Sequence, residues 1–282
     1  MPDTPLFRDP SLNRTFQEKG FVQTGLLNTV EVSNLRKAYD SLPRPKNDGF
    51  HCTMFSPDID LRKSVDRIIK ECLVEKLNSV FLNQKPLYGN FMVKEPGIES
   101  DWFVHQDWTY VDENEHSSVA VWVPLTDLTL DNGVICMVPG SHQIKNPVRG
   151  PGVRDPWEDV HDNIKKNYHE KVFLKAGEAV IWHHRLVHFS PPNLSNTDRV
   201  AATLIYTPAN VPVIHFWKDS SQPGTIVNKY AVDSDFFMQY DIVHEPAKVP
   251  FLGKSESRFP IIGQERLRSC CGRFVDISLI KN

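Results

Sequence analysis

The sequence predicts a mainly β protein with flanking helices, built as a sandwich or barrel. Three observations carry that expectation. From Leu87 onward the chain falls into short runs rich in β-branched and aromatic residues: "LYGNFMVK", "DWFVHQ", "SSVAVWVPL", "GVICMVP", "KVFLKAG", "EAVIWHHRLVHF" and "RVAATLIYTP". Gly, Pro, Asn and Asp punctuate these runs, as they do between strands. Little helical periodicity separates them, which argues against alternating strand–helix units and a parallel sheet.

Taken in order, the first third reads as helical. In "VEVSNLRKAYDSLP" the residues Leu35, Ala38, Tyr39 and Leu42 share one helical face, and Pro43 ends it. In "LRKSVDRIIKECLVEKLNSVFLN" a longer apolar stripe runs through Val65, Ile69, Leu73, Leu77 and Val80. Residues 1–85 are therefore expected as an N-terminal helical region and 86–207 as the β core. A polar stretch at 143–170 reads as an insertion, of the kind that often forms a lid or binding loop. Residues 208–282 are a proline-punctuated C-terminal extension, and the whole 1–282 is expected to be one domain.

A hydrophobic fraction of 40% and a charged fraction of 24% are those of a globule with a sizeable core. The formal net charge of −3 gives no reason to expect nucleic acid or an acidic membrane as partner. The chain has no 18-residue apolar run, and "MPDTPLFRDPSLNRTF" lacks the basic start and apolar middle of a signal peptide. Five cysteines without a CxxC pair point to a reducing, cytoplasmic setting.

The chemistry gathers around "FVHQDWTY". His105 and Asp107 are two apart, and on a strand such a pair faces one side. A His-x-Asp followed far downstream by another His is the sequence form of the two-histidine, one-carboxylate set that holds one face of Fe(II) and leaves the other open. His183, His184 and His188 all lie in the downstream strand. His188 is preferred because Arg199 follows it by 11 residues across "SPPNLSNTD", at the start of an apolar strand. If the two strands are antiparallel neighbours, they bring histidine and guanidinium into one pocket. An arginine fork suits the distal carboxylate of 2-oxoglutarate.

These residues resemble the phytanoyl-CoA dioxygenase-like family of Fe(II)/2-oxoglutarate-dependent oxygenases. The likeness runs in order from about residue 16 to 207. "FQEKGFVQTGLLNTVEVSNLRKAYDSL" is similar to the family's helical opening, and "VHQD" to its first ligand motif. "AVWVPLTDLTLDNGVICMVPGSH", with a bend at Asn132-Gly133, is similar to its central signature. "GEAVIWHHRLVHFSPPNLSNTDR" is similar to its closing motif.

The resemblance implies a double-stranded β-helix, the cupin-like jelly roll, as a single oxygenase domain. It implies iron on His105, Asp107 and His188, and 2-oxoglutarate held by Arg199, Ser190, Trp122 and Asn90. His183 and His184 match a variable position and carry no metal role. For the substrate, Gln106 and Trp108 beside the ligands and Arg149 and Arg154 in the insertion are the candidates. The implied activity is an O2-consuming dioxygenase that hydroxylates an unactivated carbon of a small soluble metabolite and releases succinate and CO2. Two other classes use the same residues: a metal-binding cupin-type protein, and a non-catalytic iron or 2-oxoglutarate binder on the same scaffold.

Overall fold

The computed structural model describes residues 5–43, 49–144, 148–221, 223–257 and 262–271. In chain order the elements are α1 (Pro10–Lys19), β1 (Phe21–Gly25), α2 (Thr29–Asp40), β2 (Phe50–Cys52), α3 (Ile59–Val80) and β3 (Gln84–Lys94). There follow β4 (Trp102–His105), β5 (Val119–Pro124), β6 (Ile135–Met137), α4 (His161–Asn167), β7 (Glu170–Val172), β8 (Glu178–His183), β9 (His188–Ser190) and β10 (Arg199–Pro208). The C-terminal part supplies β11 (Val213–Trp217), β12 (Ile226–Val232), α5 (Ser234–Gln239), β13 (Phe251–Glu256) and α6 (Gln264–Cys271).

Local signals place the helices as expected. Asn28 caps α2 through a reciprocal box with Glu31, and Asp58 caps α3 by accepting from the Leu61 amide. The first third is less purely helical than its periodicity suggests. β1 and β2 are strands, and they close the two edges of the main sheet. They are five and three residues long, too short to show a clear period.

The main sheet has six antiparallel strands in the order β1-β8-β5-β10-β3-β2, and a second has four in the order β4-β9-β6-β7. This is the architecture of the family's jelly roll. β11, β12 and β13 form a separate three-stranded sheet. β5 is buried at all six positions, with no polar-out alternation. The reason is that both faces of its sheet are covered. Val119, Val121 and Val123 pack outward against α1–α3, where Ile69, Leu73 and Leu77 are fully buried. Ala120 and Trp122 face inward with Trp182, Val180, Met137 and Ala201.

Side-chain period then decides which residues share the interior. Asn90, Met92 and Lys94 of β3 lie opposite Thr203, Ala201 and Arg199 of β10, all on the inward set. The described part of the 143–170 stretch is not a solvated loop. Trp157, Val160, Ile164 and Tyr168 pack it onto the outer face of the four-stranded sheet together with Leu267 of α6. Residues 145–147 of that stretch and 272–282 of the C-terminal extension lie outside the described residues.

Candidate metal centre and co-substrate pocket

His105 ends β4, and His188 begins β9, paired with it across the ladder. That register sets the two imidazoles side by side and tilted at 51°, with ring centroids 4.2 Å apart. Asp107 lies beyond the end of β4, so it reaches the histidines from a loop and not by strand alternation. Its Oδ1 stands 3.9 Å from each Nε2. One ligand atom from each of the three residues falls within 4.8 Å of the others.

Each ligand is held by a partner that leaves one atom free. Nδ1 of His105 pairs with the Phe103 carbonyl at 2.8 Å, and Nδ1 of His188 with the Leu186 carbonyl at 3.0 Å. Those bonds put the ring proton on Nδ1 and turn the Nε2 lone pair inward. Trp182 Nε1 donates to Asp107 Oδ2 at 2.7 Å, which leaves Oδ1 toward the imidazoles. Trp102 Nε1 donates to His105 Nε2 over 3.3 Å, a long bond that a metal ion would displace. Burial, and next the adjacent His188, push the His105 imidazole down to about 4, so it is a neutral donor at pH 7. Burial works to raise Asp107, but His188, His184, His105 and the Trp182 bond outweigh it and hold the carboxyl below its ordinary range. Two imidazoles and one carboxylate are the donor set that suits Fe(II) with open positions.

Trp182 was not singled out from the sequence. The signal was its position six residues before His188, on the inward set of β8. Trp182→Phe keeps the ring and removes the bond to Asp107. The variant is expected to fold normally and to lose about 10–100-fold in metal affinity. Competition with a chromophoric chelator reads this, and an unchanged affinity would remove the role.

Arg199 is also buried in the interior, 3% exposed. It does not arrive there as expected. β9 and β10 belong to different sheets, so His188 and Arg199 are not on antiparallel neighbours, and the segment between them crosses the sandwich. The guanidinium donates to the Gly133 carbonyl at 2.8 Å and to Ser190 Oγ at 3.4 Å, and lies 5.1 Å over the Trp122 ring. Its Nε is buried without a hydrogen-bond partner. Among the described residues no carboxylate pairs with it, and burial alone lowers it to about 9. Gly133 is suited to this position: its φ is +78°, and a Cβ there would lie 2.7 Å from the Pro191 carbonyl.

Lys94 was not singled out from the sequence. It is fully buried beside Arg199 in the β3–β10 register. Its Nζ donates to the carbonyls of Ser190 and Pro191, each at 2.8 Å, and to that of Ser100. Burial, and next the Arg199 charge, lower it to about 6, while three acceptors call for all three ammonium protons. The Arg199 guanidinium, which stays charged and has no carboxylate partner among the described residues, is costly to bury by itself. A dicarboxylate with one end near Arg199 fits this imbalance. Asn90 lines the cavity in front of the triad, where its Oδ1 accepts from Cys52 Sγ at 2.6 Å.

All four substrate candidates line the cavity, and their partners separate them. Trp108 meets Phe55 edge to face. Gln106 is buried and donates to the Arg185 carbonyl, which ties it to the scaffold. Arg149 is engaged in a buried bidentate pair with Glu113, at 2.7 and 2.8 Å, and its Nε donates to the Asp107 carbonyl at 2.6 Å. It braces the ligand loop where the polar texture of its segment suggested a solvated or substrate-facing group. Arg154 is exposed at the rim, beside Glu158 and Asp159. Removing Glu113 (Glu113→Ala) strands a buried guanidinium and is expected to cost about 3–5 kcal/mol. Urea unfolding measures this, and the double variant Glu113→Leu/Arg149→Met should recover part of it, since Arg185 Nε also lies 3.9 Å from the Glu113 carboxylate. Equal losses in the single and double variants would show that the pair itself is not the source.

His183 and His184 are fully buried but outside the triad. Ser118 Oγ pairs with His184 Nδ1 at 2.7 Å, and the Arg185 amide donates to His183 Nδ1 at 2.9 Å.

A jelly roll with two imidazoles and a carboxylate at one end of its interior and an unpaired guanidinium further in defines a class: the Fe(II)/2-oxoglutarate oxygenases, which are enzymes. The chain belongs to the phytanoyl-CoA dioxygenase (PhyH) family, whose model matches residues 12–201. Fe(II), 2-oxoglutarate and O2 are the cofactors that go with it. Phytanoyl-CoA dioxygenase 1 of Oryza sativa subsp. japonica is 27% identical over 193 residues, which cover 67% of this chain and 63% of that protein. Phytanoyl-CoA dioxygenase of Arabidopsis thaliana is 34% identical over 118 residues, 40% of this chain and 41% of that protein. The chain thus spans between about two fifths and two thirds of the length of these relatives.

Among solved structures, the carbocyclase SnoK from nogalamycin biosynthesis superposes with a TM-score of 0.54 at 23% identity, over 74% of this chain and 89% of that one. HygX from Streptomyces hygroscopicus, with nickel, 2-oxoglutarate and hygromycin B bound, also scores 0.54, at 18% identity over 74% and 90%. These likenesses establish the fold. The expected cytoplasmic location is corrected by the relatives. One of them, 25% identical over 142 residues, is the peroxisomal phytanoyl-CoA dioxygenase of Bos taurus. Peroxisomal addresses are short receptor-read signals, to which cysteine number and composition are blind. No helix among the described residues is long and apolar enough to cross a membrane.

Proposed function

We propose that the chain hydroxylates an unactivated carbon of a small-molecule substrate, with His105, Asp107 and His188 holding the iron. Arg199, Ser190, Trp122 and Asn90 hold 2-oxoglutarate in this reading. Bound there, iron with 2-oxoglutarate and O2 supplies the oxidising power, and succinate and CO2 are released.

The chain's own residues have three tasks. Trp182 and Arg149 fix the carboxylate arm by its side chain and its backbone. Arg199 offers the buried positive end that orients the co-substrate. The aromatic walls exclude water, so that the oxidation is spent on the substrate. The observation that carries the proposal is Arg199, a buried guanidinium that pairs with no carboxylate among the described residues and shares the interior with the triad. A cupin-type metal site without 2-oxoglutarate would leave that charge unexplained.

The test has two parts. Anaerobic addition of 2-oxoglutarate to the Fe(II) protein should produce a weak visible charge-transfer band. Turnover under ¹⁸O2 should then place one labelled oxygen in succinate and one in the hydroxylated product. A band without labelled product would keep the co-substrate site and reject hydroxylation.

A further inference from the structure

The cavity in front of the triad has a volume of about 360 Å³, and His105 and Asp107 lie in its wall. Its walls are mostly aromatic. Phe50 and Trp102 stack with centroids 4.0 Å apart on one side, and Phe55 meets Trp108 on another. At the mouth Phe55 and Phe103 are 53% and 49% exposed, carbon surface that a ligand of the same character would cover. Ile242, from the C-terminal extension, completes the wall, and α5 seats Phe237 against Tyr88.

The charges around this cavity are already committed. Arg149 is paired with Glu113, Asp155 with His161, and rim Arg154 faces Glu158 and Asp159. His105 and Asp107 belong to the metal set. A charged ligand group brought inside would be desolvated without a partner, which is strongly unfavourable.

One polar feature remains on the wall. The hydroxyls of Tyr88 and Tyr110 are hydrogen-bonded to each other. Burial raises both well above the ordinary phenol range, so both keep their protons. Two hydroxyl hydrogens with one mutual bond leave one donor over. The Cys52 thiol, pushed up to about 12 by burial, stays neutral and donates to Asn90.

We propose that this cavity selects a neutral, predominantly apolar or aromatic small molecule bearing one acceptor oxygen, which the Tyr88–Tyr110 pair receives. The proposal rests on the oxygenase reading for its chemistry but not for its recognition. It excludes free amino acids and other fully charged solutes from the reacting position.

Three bicyclic probes of similar size test it on the full chain loaded with Fe(II) and 2-oxoglutarate under anaerobic conditions: 1-tetralone, tetralin and 1-naphthoate. Tryptophan fluorescence and equilibrium dialysis report binding without turnover. The expected order places 1-tetralone about tenfold tighter than tetralin, the contribution of one buried hydrogen bond, and tighter still than the anion. Tyr88→Phe and Tyr110→Phe, tested separately, should shrink the tetralone-to-tetralin ratio toward one. Tighter binding of 1-naphthoate, a ratio that both variants leave untouched, or no saturable binding of any probe would each overturn the proposal. Absence of the 2-oxoglutarate charge-transfer band with the probe ranking intact would instead count against the oxygenase reading alone.

Discussion

Asp107→Ala is expected to lower kcat/KM by about 10³-fold or more while the chain still folds. The carboxylate is the single anionic donor of the set, and a bound metal supplies several kcal/mol of stabilisation to the reaction, each 1.4 kcal/mol being tenfold in rate. Without it, two imidazoles with ring centroids 4.2 Å apart must hold a dication by themselves. Near-ultraviolet circular dichroism checks the fold, and metal analysis after gel filtration checks retention of iron. Asp107→Glu distinguishes charge from placement. It keeps the anion, but its longer arm moves the oxygens away from Trp182 Nε1, so restored metal content with poor turnover is the expected result. Full activity in Asp107→Ala would end the assignment of the triad.

Arg199→Met should act in opposite directions on co-substrate and on stability. Truncating one partner of a buried charge pair costs about 2–5 kcal/mol in binding, so the KM for 2-oxoglutarate should rise by about 30-fold or more. The unliganded protein should be no less stable and can gain. The guanidinium is buried without a counter-charge among the described residues, its Nε has no partner, and a methionine of similar length removes that cost. Initial rates against 2-oxoglutarate and a thermal melt of the metal-free protein measure the two halves. A large loss of stability with an unchanged KM would make Arg199 a structural residue.

Much of this site was legible in the sequence because its ligands are short-range features on strongly patterned elements. His105, Asp107, His188 and Arg199 stand out by residue type and spacing, and the strands that carry three of them are apolar runs with turn residues at their ends. The geometry joining them was less legible. Asp107 was expected on a strand that in fact stops at His105. Arg199 was expected on a strand neighbouring His188, whereas the two strands lie in different sheets. In both cases chain order was read as spatial order. The supporting residues were harder still. Trp182 reads as core until its N–H is seen on Asp107, and Arg149 reads as a solvated loop charge until Glu113 is seen against it.

The sequence by itself determined most element types, the family and a set of candidate metal donors, because strand propensity, turn chemistry and ligand chemistry are properties of residues and their near neighbours. Only the tertiary structure decided which buried charges have partners and which do not. Glu113 neutralises Arg149 from 36 residues away, while Arg199 lies opposite Lys94 across two strands and pairs with no carboxylate among the described residues. Pairing of that kind depends on distance and dielectric in three dimensions, which spacing along the chain does not encode.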